Sequence, residues 1–171
     1  KTKVILPVHL YGSAANLKEI KKIISKKKIF LVDDCAQAHG TYDDSEKLNK
    51  RRKIGSTTDI SCFSLYPGKN LGGYGDAGII TTNNKFFYER IRKLRNLGSA
   101  KKFIHDHVGL NSRLDTLQAI ILNEKIKNLS KYNYLRQKIA TYYNRNIQNP
   151  KIRKIRYSES CIYHQYVILT K

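Results

Sequence analysis

Apolar and polar positions along the chain fall into blocks that predict alternating strands and helices. Residues 3–8 (KVILPV) form an apolar run ending near Pro7 and predict a buried strand. Asn16-Leu17-Lys18-Glu19 has the wording of a capping box, with Asn at the N-cap and Glu three residues later. The helix it opens carries Leu17, Ile20, Ile23 and Ile24 on one face and lysines on the other. Residues 29–32 predict a second short buried strand. Strand, helix and strand within about 30 residues make a βαβ unit, which requires a parallel pair and a right-handed crossover.

The polar stretch 42–56 (YDDSEKLNKRRKIGS) predicts an exposed loop, and 59–63 a strand. Residues 64–76 (SLYPGKNLGGYGD) hold four Gly and one Pro and exclude regular structure. A further strand is expected over 77–82. Asn83 or Asn84 then caps a helix carrying Phe87, Ile91 and Leu94, with Gly98 just past its end. A helix over 113–129 is expected to turn Leu114, Leu117, Ile121 and Ile126 inward, and another over 132–147 follows or continues it. Two strand-like pieces come after Pro150, divided by 158–160. The class is α/β.

Composition narrows the function. Apolar residues make up 40% of the 171 positions, enough for a core, which excludes wholesale disorder. The net charge is +20, yet the basic residues lie in short scattered runs (26–28, 50–53, 101–102, 151–156), many on polar helix faces. No zinc-finger, RNP-like or helix-turn-helix wording accompanies them, so a solvated surface is favoured over a nucleic-acid footprint. Cys35, Cys62 and Cys161 form no CxxC pair, which argues against a disulfide framework or a cysteine-based metal site. No apolar run approaches the ~18 residues of a membrane span, and no signal peptide is evident, so a cytoplasmic protein is expected. The chain contains no Met and opens and closes on apolar runs (4–6 and 166–169), from which a piece of a longer protein is expected.

Four segments set polar residues in apolar or Gly-rich surroundings. In 32–40 (VDDCAQAHG), Asp33 and Asp34 stand at the C-terminal end of a buried parallel strand, the edge where open α/β sheets bind ligands; a surface turn is the alternative. In 64–76, Lys69 lies in a Gly-rich loop between strands, with Ser64 and backbone N–H groups as anion donors. The G-x-x-x-x-G-K-[ST] order of a P-loop is absent, and a flexible loop with a solvated lysine is the alternative. In 109–115 (GLNSRLD), a helix start suits an anion, although simple capping by Asn111 or Ser112 accounts for it as well. In 8–12 (VHLYG), His9 follows the first strand, and a structural role is the simpler one.

VHLYG, DDCAQAHG, FSLYPGKNLGGYGDAG and GLNSRLDTLQA, in this order, resemble the DegT–DnrJ–StrS family of sugar aminotransferases, from about Val4 to Tyr143 and more weakly to Leu169. The resemblance implies a fold-type I, pyridoxal 5′-phosphate-dependent transferase: a mostly parallel sheet flanked by helices, here incomplete. Residues 1–128 would be part of the large cofactor-binding domain, and 129–171 a linking helix and the start of a smaller C-terminal α+β domain. It implies Lys69 as the internal-aldimine lysine, Asp34 as partner of the pyridine nitrogen, Gln37 near the ring hydroxyl and Ser64 at the phosphate. Asn111 would reach the phosphate of a neighbouring subunit, which implies a homodimer with shared active sites.

Those residue types suit that chemistry. An ionised Asp34 keeps the pyridine nitrogen protonated, so the ring can act as an electron sink. A neutral Lys69 can attack and later shuttle a proton. Related dehydratases carry His at the lysine position, so Lys69 favours transamination, with glutamate as donor and a nucleotide-linked keto sugar as acceptor, for glycan or surface-polysaccharide biosynthesis. The SRLDTLQA wording is most similar to members acting on 3-keto sugars. Asp33 stands where the family usually has Glu, Cys35 where it usually has Ala, and Phe103 where it often has Tyr. The fragment alone is expected to be inactive. A noncatalytic remnant of the family and a basic nucleic-acid-binding module are the competing hypotheses.

Overall fold

The computed structural model describes residues 1–45 and 47–170. Glu46, in the loop expected over 42–56, and Lys171, the last residue of the expected 129–171 segment, lie outside the described residues.

Four strands form the central sheet, in the order β1 (Val4–Ile5), β2 (Phe30–Asp34), β3 (Ile60–Ser64), β4 (Gly78–Thr81). The first three run parallel and β4 returns antiparallel to β3. β1 is shorter than the expected 3–8 strand. Pro7 has no N–H for the ladder, and pairing resumes only as a single bridge between Val8 and Asp34. β2 runs further than expected and takes in Asp33 and Asp34. Asp33 is tolerated there because its Oδ2 accepts the Thr58 hydroxyl at 2.8 Å.

The crossover is α1 (Leu17–Ile24), whose Asn16 side chain accepts the Glu19 N–H at 3.2 Å, as a capping residue should. Leu17 packs in a buried cluster with Cys35, Ala38 and Ile54. Ile23, expected on the same face, is 63% exposed. Ile54 also corrects the expectation of a wholly exposed 42–56 loop: Tyr42 bridges Lys53, and Asp43 and Ile54 are buried.

α2 (Lys85–Leu94) is capped by Asn84, which accepts from the N–H groups of Phe86 and Phe87. The chain leaves it through Gly98, at φ +73°, where a Cβ would fall 1.6 Å from the His107 carbonyl oxygen. β5 (Ser99–Lys101) and β6 (Ile104–His105) form a small hairpin.

The helix expected over 113–129 starts later, as α3 (Thr116–Ile126), with Asp115 at its N-cap. Asn111 and Ser112 therefore cap nothing, and Asn111 makes an isolated bridge to Asn96. Only Leu122 of α3 is buried, against Leu65 and Leu71; Leu114, Leu117 and Ile126 are exposed. α4 (Leu129–Asn146) follows at once. β7 (Ile152–Lys154) and β8 (Ile168–Thr170) pair antiparallel, apart from the main sheet. The segment before β8 is tied back to the first half of the chain. The N–H groups of Ile162 and His164 donate to the carbonyls of Gly12 and Tyr11, at 3.1 and 2.9 Å. Among the described residues, no helix is long and apolar enough to cross a membrane.

Candidate active site

β2 and β3 run side by side and end at Asp34 and Ser64, so the loops that follow both strands leave the sheet at one edge. Asp34 is held on three sides. Its N–H donates to the Pro7 carbonyl at 2.9 Å, its C=O accepts from the His9 N–H at 3.0 Å, and its Oδ1 accepts the Ala36 N–H at 2.9 Å. Among the described residues nothing hydrogen-bonds its second carboxylate oxygen, which is left for an outside donor. Gln37 is partly committed. Its Oε1 accepts the Tyr11 N–H at 2.6 Å and pins a turn in which Tyr11 sits at φ +60°. Only its NH2 group remains for a ligand.

Ser64 pairs with Gly78 across the ladder, and its hydroxyl oxygen accepts the Tyr66 N–H at a long 3.4 Å. The hydroxyl hydrogen stays available. The chain then turns at Tyr66–Lys69, where the Lys69 N–H donates to the Tyr66 carbonyl at 2.9 Å. The loop folds back so tightly that a Cβ on Gly72 would lie 2.5 Å from the Pro67 carbonyl oxygen and 2.6 Å from that of Tyr66. Lys69 is half-buried in this loop.

Two imidazoles feel the Lys69 charge. His39 is buried beside the Ser64 backbone, and its ring lies 5.5 Å from that of Phe63. Burial is the main cause that pushes it down to about 4, with the charges of His164 and Lys69 acting in the same direction. His164 is likewise lowered, by burial first and then by Lys69 and Arg136. Asn70, next to Lys69, bonds both to His164 Nδ1 at 3.0 Å and to Asn133 of α4 at 2.9 Å. Asn133 in turn donates to the His39 carbonyl at 2.7 Å. His39, Asn70, Asn133 and His164 received no role from the sequence. His39 stood in plain view inside 32–40, whereas Asn70 and His164 lie 94 positions apart and no pattern links them.

The structure thus brings Asp34 and Ser64 to one sheet edge, with Gln37 and Lys69 in the loops leaving it. It does not bring Asn111 to that cluster. Asn111 is exposed, its Oδ1 accepts from Arg113 Nε at 2.8 Å, and it lines a hollow with Arg92, Arg95 and Ile80 whose wall also includes Phe63 and Gly78, the chain neighbour and ladder partner of Ser64.

His9, Asp33 and Cys35 are buried together, their ligand atoms within 4.8 Å of one another. The donor chemistry does not suit a metal. His9 Nδ1 accepts the Ala15 N–H at 3.0 Å, so the ring hydrogen sits on Nε2, 3.4 Å from Asp33 Oδ2. Burial and the neighbouring Asp33 push the Cys35 thiol above its usual range.

The chain is 42% identical over 173 residues to a dTDP-3-amino-3,6-dideoxy-alpha-D-galactopyranose transaminase of Aneurinibacillus thermoaerophilus, matching 100% of this chain and 46% of that protein. It is 39% identical over 143 residues to a dTDP-3-amino-3,4,6-trideoxy-alpha-D-glucose transaminase of Streptomyces venezuelae, matching 84% of this chain and 36% of that one. In both cases the chain spans less than half the relative's length. Among solved structures, Streptomyces venezuelae DesV in complex with a ketimine intermediate superposes with a TM-score of 0.89 at 34% identity, covering 99% of this chain and 45% of that one. A Bacillus subtilis protein with bound cofactor PMP superposes with a TM-score of 0.82 at 31% identity, covering 99% and 38%. The model of the DegT/DnrJ/EryC1/StrS aminotransferase family matches residues 1–171, and the chain belongs to that family.

Proposed function

We propose that the protein is a pyridoxal 5′-phosphate-dependent aminotransferase that moves an amino group from glutamate to a keto group of a nucleotide-linked deoxysugar. One juxtaposition carries this reading: Asp34 and Ser64 end adjacent parallel strands, and Lys69 lies in the loop that leaves the same edge. The residues fit the cofactor. The uncommitted oxygen of Asp34 suits a protonated pyridine nitrogen, and the Ser64 hydroxyl hydrogen suits a phosphate oxygen. The free NH2 of Gln37 suits the ring hydroxyl. Bound pyridoxal phosphate supplies an electron sink for the substrate's carbon. Lys69 Nζ takes a proton from that carbon and returns it elsewhere.

Asn111, apart from this cluster, serves a second copy of the chain in a homodimer with shared sites. Residues 1–128 belong to the cofactor-binding domain, and 129–171 supply a linking helix and the start of a smaller domain; the separate pairing of β7 with β8 supports that division. The relatives' names favour a sugar aminated at carbon 3; a cytoplasmic pathway of glycan or surface-polysaccharide biosynthesis is part of the same proposal.

The test supplies the full-length protein that contains this chain with pyridoxal phosphate, ¹⁵N-labelled glutamate and a dTDP- or UDP-linked 3-keto sugar. A ¹⁵N-labelled aminosugar nucleotide, found by mass spectrometry and absent with Lys69→Ala, is the expected product. Transfer that persists in Lys69→Ala, or no transfer to any keto sugar, overturns the reading.

A further inference from the structure

The hydrogen bonds around Asn70 have a single self-consistent polarity. The His39 carbonyl can only accept, so the Asn133 atom bonded to it at 2.7 Å is the amide nitrogen. That bond exists because residue 40 is glycine: a Cβ there would fall 2.8 Å from Asn133 Nδ2. The Asn133 oxygen is therefore the atom that faces Asn70 at 2.9 Å, and Asn70 donates to it from its own amide nitrogen. This leaves the Asn70 oxygen, an acceptor, 3.0 Å from His164 Nδ1. Nδ1 must carry the ring hydrogen. In the neutral ring Nε2 is then a bare lone pair, and among the described residues it has no hydrogen-bond partner. Three features keep the ring neutral: its partial burial, Lys69 on the loop and Arg136 on α4.

We infer that the Asn133–Asn70 amide pair locks His164 as the Nδ1–H tautomer, and that His164 is a positioning residue whose unpartnered Nε2 lone pair is held ready as an acceptor for the Lys69 amine. An imidazolium at this place would set a second cation against Lys69. The neutral acceptor steers the amine without one. The lock stands on the hydrogen bonds alone, whereas the positioning role rests on the aminotransferase reading of Lys69.

The test is a long-range ¹H–¹⁵N spectrum of the histidine-labelled protein at neutral pH without cofactor, with His164→Gln identifying the His164 signals. Nδ1 is expected at the protonated, pyrrole-type position and Nε2 at the pyridine-type position. In Asn133→Leu the Asn70 amide is free to turn over, and the ring is expected to shift toward the Nε2–H form. In Lys69→Met the Nδ1–H form is expected to persist, while the Nε2 resonance moves and the ring titrates at higher pH because a neighbouring cation is gone. A wild-type ring with hydrogen on Nε2, or on both nitrogens, overturns the lock without recourse to any variant. An Nε2 resonance indifferent to Lys69→Met overturns the positioning role. No cofactor enters these measurements, so their failure is distinct from a failure of the protein to take up pyridoxal phosphate.

Discussion

His9 and Asp33 face each other in the core, Nε2 to Oδ2 at 3.4 Å, with neither side chain exposed. The pair joins the turn after β1 to the end of β2, one residue before Asp34. Removing the carboxylate takes the 2.8 Å acceptor from the Thr58 hydroxyl and the facing group from the His9 ring, whose Nε2 has no hydrogen-bond partner among the described residues. Asp33→Ala is therefore expected to cost about 1 kcal/mol, the net worth of the lost Thr58 hydrogen bond, because that hydroxyl still reaches Ser61 Oγ at 3.1 Å. Urea unfolding checks this: the midpoint should fall with an unchanged slope. A variant as stable as its parent would show that the pair does not hold the two turns together.

His39 gives the fold a dependence on acid. The unfolded chain takes up a proton on this residue near the ordinary 6.5, and the folded protein only near 4. Stability from the neutral ring is thus complete above pH 6.5 and lost as the pH falls from 6.5 to 4. The loss amounts to at most about 3 kcal/mol. His39→Leu should flatten the unfolding free energy across this window, measured at several pH values. An unchanged acid slope in the variant would assign the dependence to other groups.

The three thiols should differ in reactivity. Cys35 and Cys161 are buried, and burial pushes Cys161 up to about 11 and Cys35 higher still. Cys62 is less buried. Alkylation at pH 8 followed by peptide mass mapping is expected to mark Cys62 first, with the other two modified only on unfolding. Early modification of Cys35 in the folded protein would contradict its placement in the core.

Much of the fold was legible because local physics decided it. Asn16 and Asn84 announce helix starts through their capping side chains, and the apolar run at 29–32 announces a strand, although only Leu31 of it is buried and Phe30 is exposed. The errors arose where tertiary contacts overrode local pattern. The apolar run suggested a strand ending at Val32, yet β2 continues through Asp33 and Asp34, where Thr58 meets the Asp33 carboxylate. The apolar spacing at 114 and 117 suggested an inward helix face, yet both leucines are exposed and the helix starts only at Thr116. At the site, Asp34, Ser64 and Lys69 were legible from strand ends and a Gly-rich loop. The Asn70–Asn133–His164 chain was not, because its members come from three segments that only folding brings together.

The central claim is that Lys69 is the residue that joins pyridoxal phosphate. It is tested most directly by adding the cofactor to the purified protein, recording the visible spectrum, reducing with borohydride and mapping the modified peptide. A visible band that borohydride bleaches and a single pyridoxyl group on Lys69 are expected, with neither in Lys69→Ala. Modification spread over surface lysines, with Lys69→Ala behaving as the parent does, would contradict it.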